Sequence, residues 1–102
     1  MAPGLVTVLY TADTKFDMNY YLKNHMPLVH SSWKKYGLKS WKVIEYGEGS
    51  LYKVQAILEF EDESNWTQAA ASTEKDTIMA DIPNYSDKDC IIISGAVTGA
   101  AS

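Results

Sequence analysis

The sequence predicts an α+β fold: a four-stranded antiparallel sheet with two helices on one face, in the order β-α-β-β-α-β. Three observations predict it. Two stretches space their apolar residues by three and four, as amphipathic helices do. Four short stretches are rich in β-branched and aromatic residues or alternate with period two. The middle pair of these is joined by a glycine turn. A chain of 102 residues fits one domain, residues 1–102.

Leu5–Tyr10, LVTVLY, reads as the first strand, and the polar residues 11–15 as a loop. Asp17 is placed to cap the first helix, with Phe16 as a hydrophobic anchor ahead of it. The apolar stripe Met18, Tyr21, Leu22, His25, Val29, Trp33 and Tyr36 lies on one face, and Gly37 stops the helix. Pro27 sits inside this stretch, so the carbonyl of Lys23 loses its helical donor.

Leu38–Tyr46 reads as the second strand. Tyr52–Phe60 alternates Tyr52, Val54, Ala56, Leu58 and Phe60 with Lys53, Gln55, Ile57 and Glu59. With GEGS between them, the two form an antiparallel hairpin. A second helix spans residues 62–80, capped by Asp62 or Ser64, with a stripe of Trp66, Ala69, Ala70, Thr73, Thr77 and Ala80. Pro83 ends it. Residues 90–97 form the last strand, expected to be buried, and the small-residue tail to Ser102 is expected to fray.

This order is the split βαβ, ferredoxin-like arrangement. The second sheet face would carry either Leu5, Thr7 and Leu9 or Val6, Val8 and Tyr10, together with Ile57. Covering that much apolar surface calls for a second copy, sheet against sheet about a two-fold axis.

Composition narrows the function. The formal net charge is −4, and the nine basic residues are all lysines. Without arginine, bidentate contacts to phosphate or guanine are lost, which argues against a nucleic-acid partner. No apolar run approaches the roughly 20 residues of a membrane span. No charged leader precedes a long apolar segment, so a cytoplasmic protein is expected. Cys90 stands alone, which excludes an internal disulfide and a multi-cysteine metal cluster.

His25 and His30 are the two histidines. Five residues apart, they diverge by roughly 140° around a straight helix, whereas metal-binding pairs use spacings of three or four. No metal is expected. His30 falls on the side of Lys23 and Met26, at the surface or an interface. His25 falls on the apolar stripe. It is either a core histidine satisfying a carbonyl freed by Pro27, or an acid/base group titrating near neutrality. Seven tyrosines and three tryptophans could build an aromatic-lined cavity. Cys90 reads as an inert core thiol.

Residues 16–30, FDMNYYLKNHMPLVH, followed by Lys35-Tyr36-Gly37-Leu38, resemble the EthD family of dimeric α/β barrel proteins. Carrying the resemblance are Asp17 opening the helix, paired Tyr20 and Tyr21, His25 two before Pro27-Leu28, and Gly37-Leu38. Residues 81–85, DIPNY, are similar to the family's turn before the last strand. The likeness runs the length of the chain. It implies a ferredoxin-like protomer that dimerises through its sheets and holds a small ligand between sheet and helices. Relatives include decarboxylases and dehydratases of aromatic polyketides, and the wider superfamily includes cofactor-free cyclases, isomerases and monooxygenases besides haem-using members; of these the resemblance implies chemistry without a cofactor here. The absence of arginine departs from many relatives and leaves Lys42 or Lys53 as the available point charges for a carboxylate.

The reading is therefore an EthD-like protein acting on a small hydrophobic or aromatic, polyketide-like molecule. The chemistry would be cofactor-independent acid/base work such as decarboxylation, dehydration or cyclisation. His25 is the candidate general base or acid, with Tyr21, Tyr46 or Tyr85 to polarise an enolate oxygen. Trp33, Trp41 and Trp66, with Val29 and Leu22, are the candidate ligand-binding wall. The alternative is a non-catalytic small-molecule-binding or accessory protein of the same fold.

Overall fold

β1 (Gly4–Thr11) and β3 (Tyr52–Phe60) form the centre of the sheet. β2 (Leu38–Glu45) flanks β3 and β4 (Ile91–Ala96) flanks β1, giving the order β2-β3-β1-β4 with every neighbouring pair antiparallel. The computed structural model describes residues 2–101. Met1, ahead of the first strand, and Ser102, last in the tail, lie outside the described residues.

Register decides which face is which. Val6, Val8 and Tyr10 pair with Leu58, Ala56 and Val54, so all six point to the helices. Leu5, Thr7 and Leu9 take the opposite, open face. β4 departs from the expected buried strand: it is an edge strand whose ladder runs along β1 alone. Its alternate residues look outward, leaving Ile91 42% and Ile93 56% exposed.

The first helical segment is interrupted. Asp17 caps it, accepting from the Tyr20 N–H at 3.1 Å. α1 (Met18–Tyr20) then widens into a π turn over Tyr21–His25 before α2 (Met26–Trp33). In that turn the Met26 N–H reaches the carbonyl of Tyr21, five residues back. The slip falls immediately before Pro27, which has no N–H to offer the regular ladder. One extra residue per turn rotates the stripe. Met26, expected beside His30 on the outer side, is buried, and Leu22, expected inside, is exposed. The segment ends in a tight turn at Lys34–Tyr36 and at Gly37, whose φ of +98° suits glycine.

The second helix is two. α3 (Glu63–Ala70) starts at a reciprocal cap between Asp62 and Asn65. α4 (Thr73–Ala80) restarts at Ser72, whose hydroxyl accepts from the Lys75 N–H at 3.3 Å. A fresh start resets the helical phase. Ala69 is buried as expected, but Thr73, Thr77 and Ala80 are exposed, and Ile78 takes the core position. A short turn over Ile82–Asn84 contains Pro83 and leads to Tyr85. That loop is tied to the head of α1: the Asp17 N–H donates to the Tyr85 carbonyl at 2.8 Å, and Phe16 pairs with Ser86.

Candidate active site

Between the helix-facing side of the sheet and α2, α3 and α4 lies an apolar cavity. Val8, Ala56 and Leu58 form its floor. Met26, Val29 and Trp33 of α2 form one wall, and Trp66, Ile78 and Met79 the other. The Trp33 and Trp66 rings meet edge to face at 5.3 Å. Cys90, expected as a core thiol, is half-buried just before β4 and lines the same space. The free volume is about 30 Å³, room for one or two waters.

The polar end of the cavity is a hydrogen-bonded chain of side chains drawn from three places in the sequence. Tyr10 and Tyr85 meet hydroxyl to hydroxyl at 2.6 Å. The Tyr85 hydroxyl lies 3.2 Å from His25 Nε2. His25 Nδ1 lies 3.0 Å from Asp81 Oδ2. Asp81 Oδ1 accepts from the Tyr20 hydroxyl at 2.6 Å and from Asn84 Nδ2 at 2.9 Å. Tyr10 and Tyr85 are buried, as is His25 at 4% exposure. His25 is the last residue of the π turn. Its imidazole stacks against Tyr21 at 5.3 Å, and Tyr85 packs on it at 4.5 Å.

Burial sets the charge states. It pulls His25 below its ordinary value, although the hydrogen bond and charge of Asp81 pull the other way. Burial also pushes Asp81 up, but hydrogen bonds from Tyr20, Asn84 and His25 outweigh it and hold the carboxyl below the usual carboxylate range. Tyr10, Tyr21 and Tyr85 are pushed well above the ordinary phenol, chiefly by burial. Near neutral pH the site therefore holds a carboxylate, a neutral imidazole and protonated phenols.

Of the residues singled out in the sequence, His25, Tyr21, Tyr85, Trp33, Trp66 and Val29 converge on this cavity. Three do not. Leu22 is turned out by the π turn. Trp41 faces the helix layer from the outer strand β2, packing on the core at a distance from the cavity. Tyr46 lies on the open face of the sheet, where its hydroxyl bonds Gln55. Lys42 and Lys53 also belong to that face, and Lys53 Nζ donates to the Thr14 carbonyl. His30, expected at the surface or an interface, is half-buried with Nδ1 sealed and unpartnered among the described residues. No cluster of three His, Cys, Asp or Glu able to hold a metal occurs among the described residues.

Tyr10, Asp81, Tyr20 and Asn84 were not among the candidate site residues. Asp81 and Asn84 share the DIPNY segment with Tyr85, and a buried histidine calls for a carboxylate or carbonyl partner. That pairing was the available signal.

No family model and no curated protein matches the sequence. Solved structures do. An EthD-like protein from Ralstonia eutropha JMP134 superposes with a TM-score of 0.83 at 21% identity, covering 100% of this chain and 97% of that one. The chain has the EthD-like, ferredoxin-like fold. SnoaB, a cofactor-independent oxygenase from Streptomyces nogalater, superposes with a TM-score of 0.67 at 9% identity, over 100% of this chain and 97% of that one. A dimeric ferredoxin-like protein from Jannaschia sp. CCS1 gives 0.62 at 11% identity, over 93% and 99%. The likeness spans the whole EthD-like architecture, and at these identities it establishes fold. Among the described residues no helix is long and apolar enough to cross a membrane.

Proposed function

We propose that this EthD-like chain takes a small, largely apolar molecule into the cavity between sheet and helices and performs cofactor-independent acid/base chemistry on it. The observation that carries this reading is the Asp81–His25–Tyr85–Tyr10 chain at the polar end of the cavity. A histidine kept for packing would be satisfied by backbone carbonyls. This one is bonded on both nitrogens to side chains that can take or give a proton. Aromatic walls suit a ring-bearing, polyketide-like substrate. Among the described residues no lysine lines the cavity, which favours dehydration or cyclisation over decarboxylation of an anion. SnoaB's description as a cofactor-independent oxygenase is consistent with unaided chemistry on this architecture.

The same molecule is proposed to be a homodimer through the open sheet face. Leu5, Leu9, Ile57, Ile91 and Ile93 share that face. A protein described as dimeric has the same fold.

A second reading, a binding or accessory protein, is favoured by the free volume of about 30 Å³, far below the roughly 300 Å³ of ordinary small-molecule sites. Ring-sized ligands would enter only if flexible side chains such as Met26 and Met79 move aside. The test is a panel of phenols and 1,3-diketones, scored for binding by thermal shift and for turnover by mass spectrometry. Acid/base catalysis requires turnover that falls roughly 10²–10⁴-fold in folded His25→Gln. Undiminished turnover rejects it, and binding without turnover selects the second reading.

A further inference from the structure

The hydrogen-bond directions around His25 can be assigned from one end. Asp81, as a carboxylate, only accepts. Its Oδ2 faces His25 Nδ1 at 3.0 Å, so that nitrogen carries the proton. Nε2 is then a bare acceptor, and the Tyr85 hydroxyl at 3.2 Å must donate to it. Tyr85 has spent its proton, so Tyr10 donates to Tyr85 at 2.6 Å. Meanwhile Tyr20 and Asn84 both donate to Oδ1, fixing the carboxylate plane and leaving Oδ2 for the imidazole.

We infer that Asp81, clamped by Tyr20 and Asn84, is the positioning residue that fixes His25 as its Nδ1–H tautomer and commits the basic nitrogen to Tyr85. The imidazole then acts through the phenol. A proton leaving a bound molecule passes to the Tyr85 oxygen as the Tyr85 proton moves to His25 Nε2. The imidazolium so formed lies against the Asp81 carboxylate, and the reverse transfers return the proton. That chemical consequence rests on the cavity being a binding site; the tautomer does not. The two can therefore fail separately, since the tautomer is read on the protein alone and ligand entry by the binding panel.

The test is long-range ¹H–¹⁵N correlation spectroscopy of the uniformly labelled full chain in mildly alkaline buffer, with His30→Gln assigning the two rings. Wild type is expected to show a protonated Nδ1 and an unprotonated, hydrogen-bonded Nε2. Asp81→Asn is expected to move the proton to Nε2. Tyr20 and Asn84 would hold the new amide oxygen, turning the amide NH₂ toward His25 Nδ1. Tyr85→Phe is expected to keep the proton on Nδ1 and shift Nε2 toward an unbonded nitrogen. An Nε2–H tautomer in wild type overturns the inference outright, whether or not the variants fold. An unmoved proton in Asp81→Asn overturns the positioning role, and an unmoved Nε2 signal in Tyr85→Phe overturns the link to Tyr85.

Discussion

The hydroxyls of Tyr10 and Tyr85 meet at 2.6 Å although the residues stand 75 positions apart. Tyr10 comes from the middle of the sheet and Tyr85 from the turn after the second helix pair. Their contact joins the two halves of the chain at the point where the cavity becomes polar.

Removing the two hydroxyls should have unequal effects. Tyr85→Phe leaves both His25 Nε2 and the Tyr10 hydroxyl buried without their partner, and each stranded group costs about 1–3 kcal/mol. Tyr10→Phe leaves the Tyr85–His25 bond intact and should cost about 1 kcal/mol. The double variant should cost less than the sum, because no phenol is then left stranded. Urea unfolding of the three variants measures this. Additive losses would mean the hydroxyls are not coupled.

Stability should fall on acidification in a window set by His25. Its folded value is lowered by burial, so between that value and the unfolded value of about 6.5 the unfolded chain binds more protons. Stability from this group is complete above about pH 6.5, declines as pH falls through the window, and levels off below it. Asp81, lowered in the fold, adds a loss at lower pH, starting near the unfolded value of about 3.9. Urea midpoints of wild type and His25→Gln across pH are the measurement. Wild type should lose the more between neutral and mildly acidic pH, and equal slopes would remove His25 as the cause.

Much of the fold was legible because strand alternation and capping are local. Tyr52–Phe60 alternates cleanly, Asp17 and Asp62 cap where their side chains can reach a backbone N–H, and Gly37 marks a left-handed stop. Misreadings came where backbone phase slips. An even stripe through Leu22 assumes a constant 3.6-residue turn, which the π turn ahead of Pro27 breaks. The stripe through Thr73 and Thr77 ignored the restart at Ser72. At the site, His25 could be picked by its place on the stripe. The partnership with Asp81 depends on a contact across 56 residues, and no local period reports that.

The slipped turn makes its own prediction. Met26→Ala should cost about 2–5 kcal/mol, as for a buried side chain that leaves a cavity. Leu22→Ala should stay within about 0.5 kcal/mol, as at a surface position, since Leu22 is 42% exposed and Met26 1%. A regular helix through His25 would set the two residues only about 40° apart on one side and bring their costs together. Chemical denaturation of the pair therefore tests the π turn without any ligand.

The open sheet face gives the last prediction. Ile93 is 56% exposed and sits opposite Thr7, with Leu5 and Leu9 two places away on the same face of β1. A charge there costs little in a monomer, because the side chain already meets water. In a sheet-to-sheet dimer the same charge would be buried without a partner, at a cost of several kcal/mol per ion and two ions per dimer. Ile93→Lys should thus weaken self-association by orders of magnitude while circular dichroism and urea stability at low protein concentration stay close to wild type. Sedimentation equilibrium reads the difference. Association that persists unchanged in Ile93→Lys would place the interface elsewhere, and a wild type that sediments as a monomer at all concentrations would mean this face is solvated.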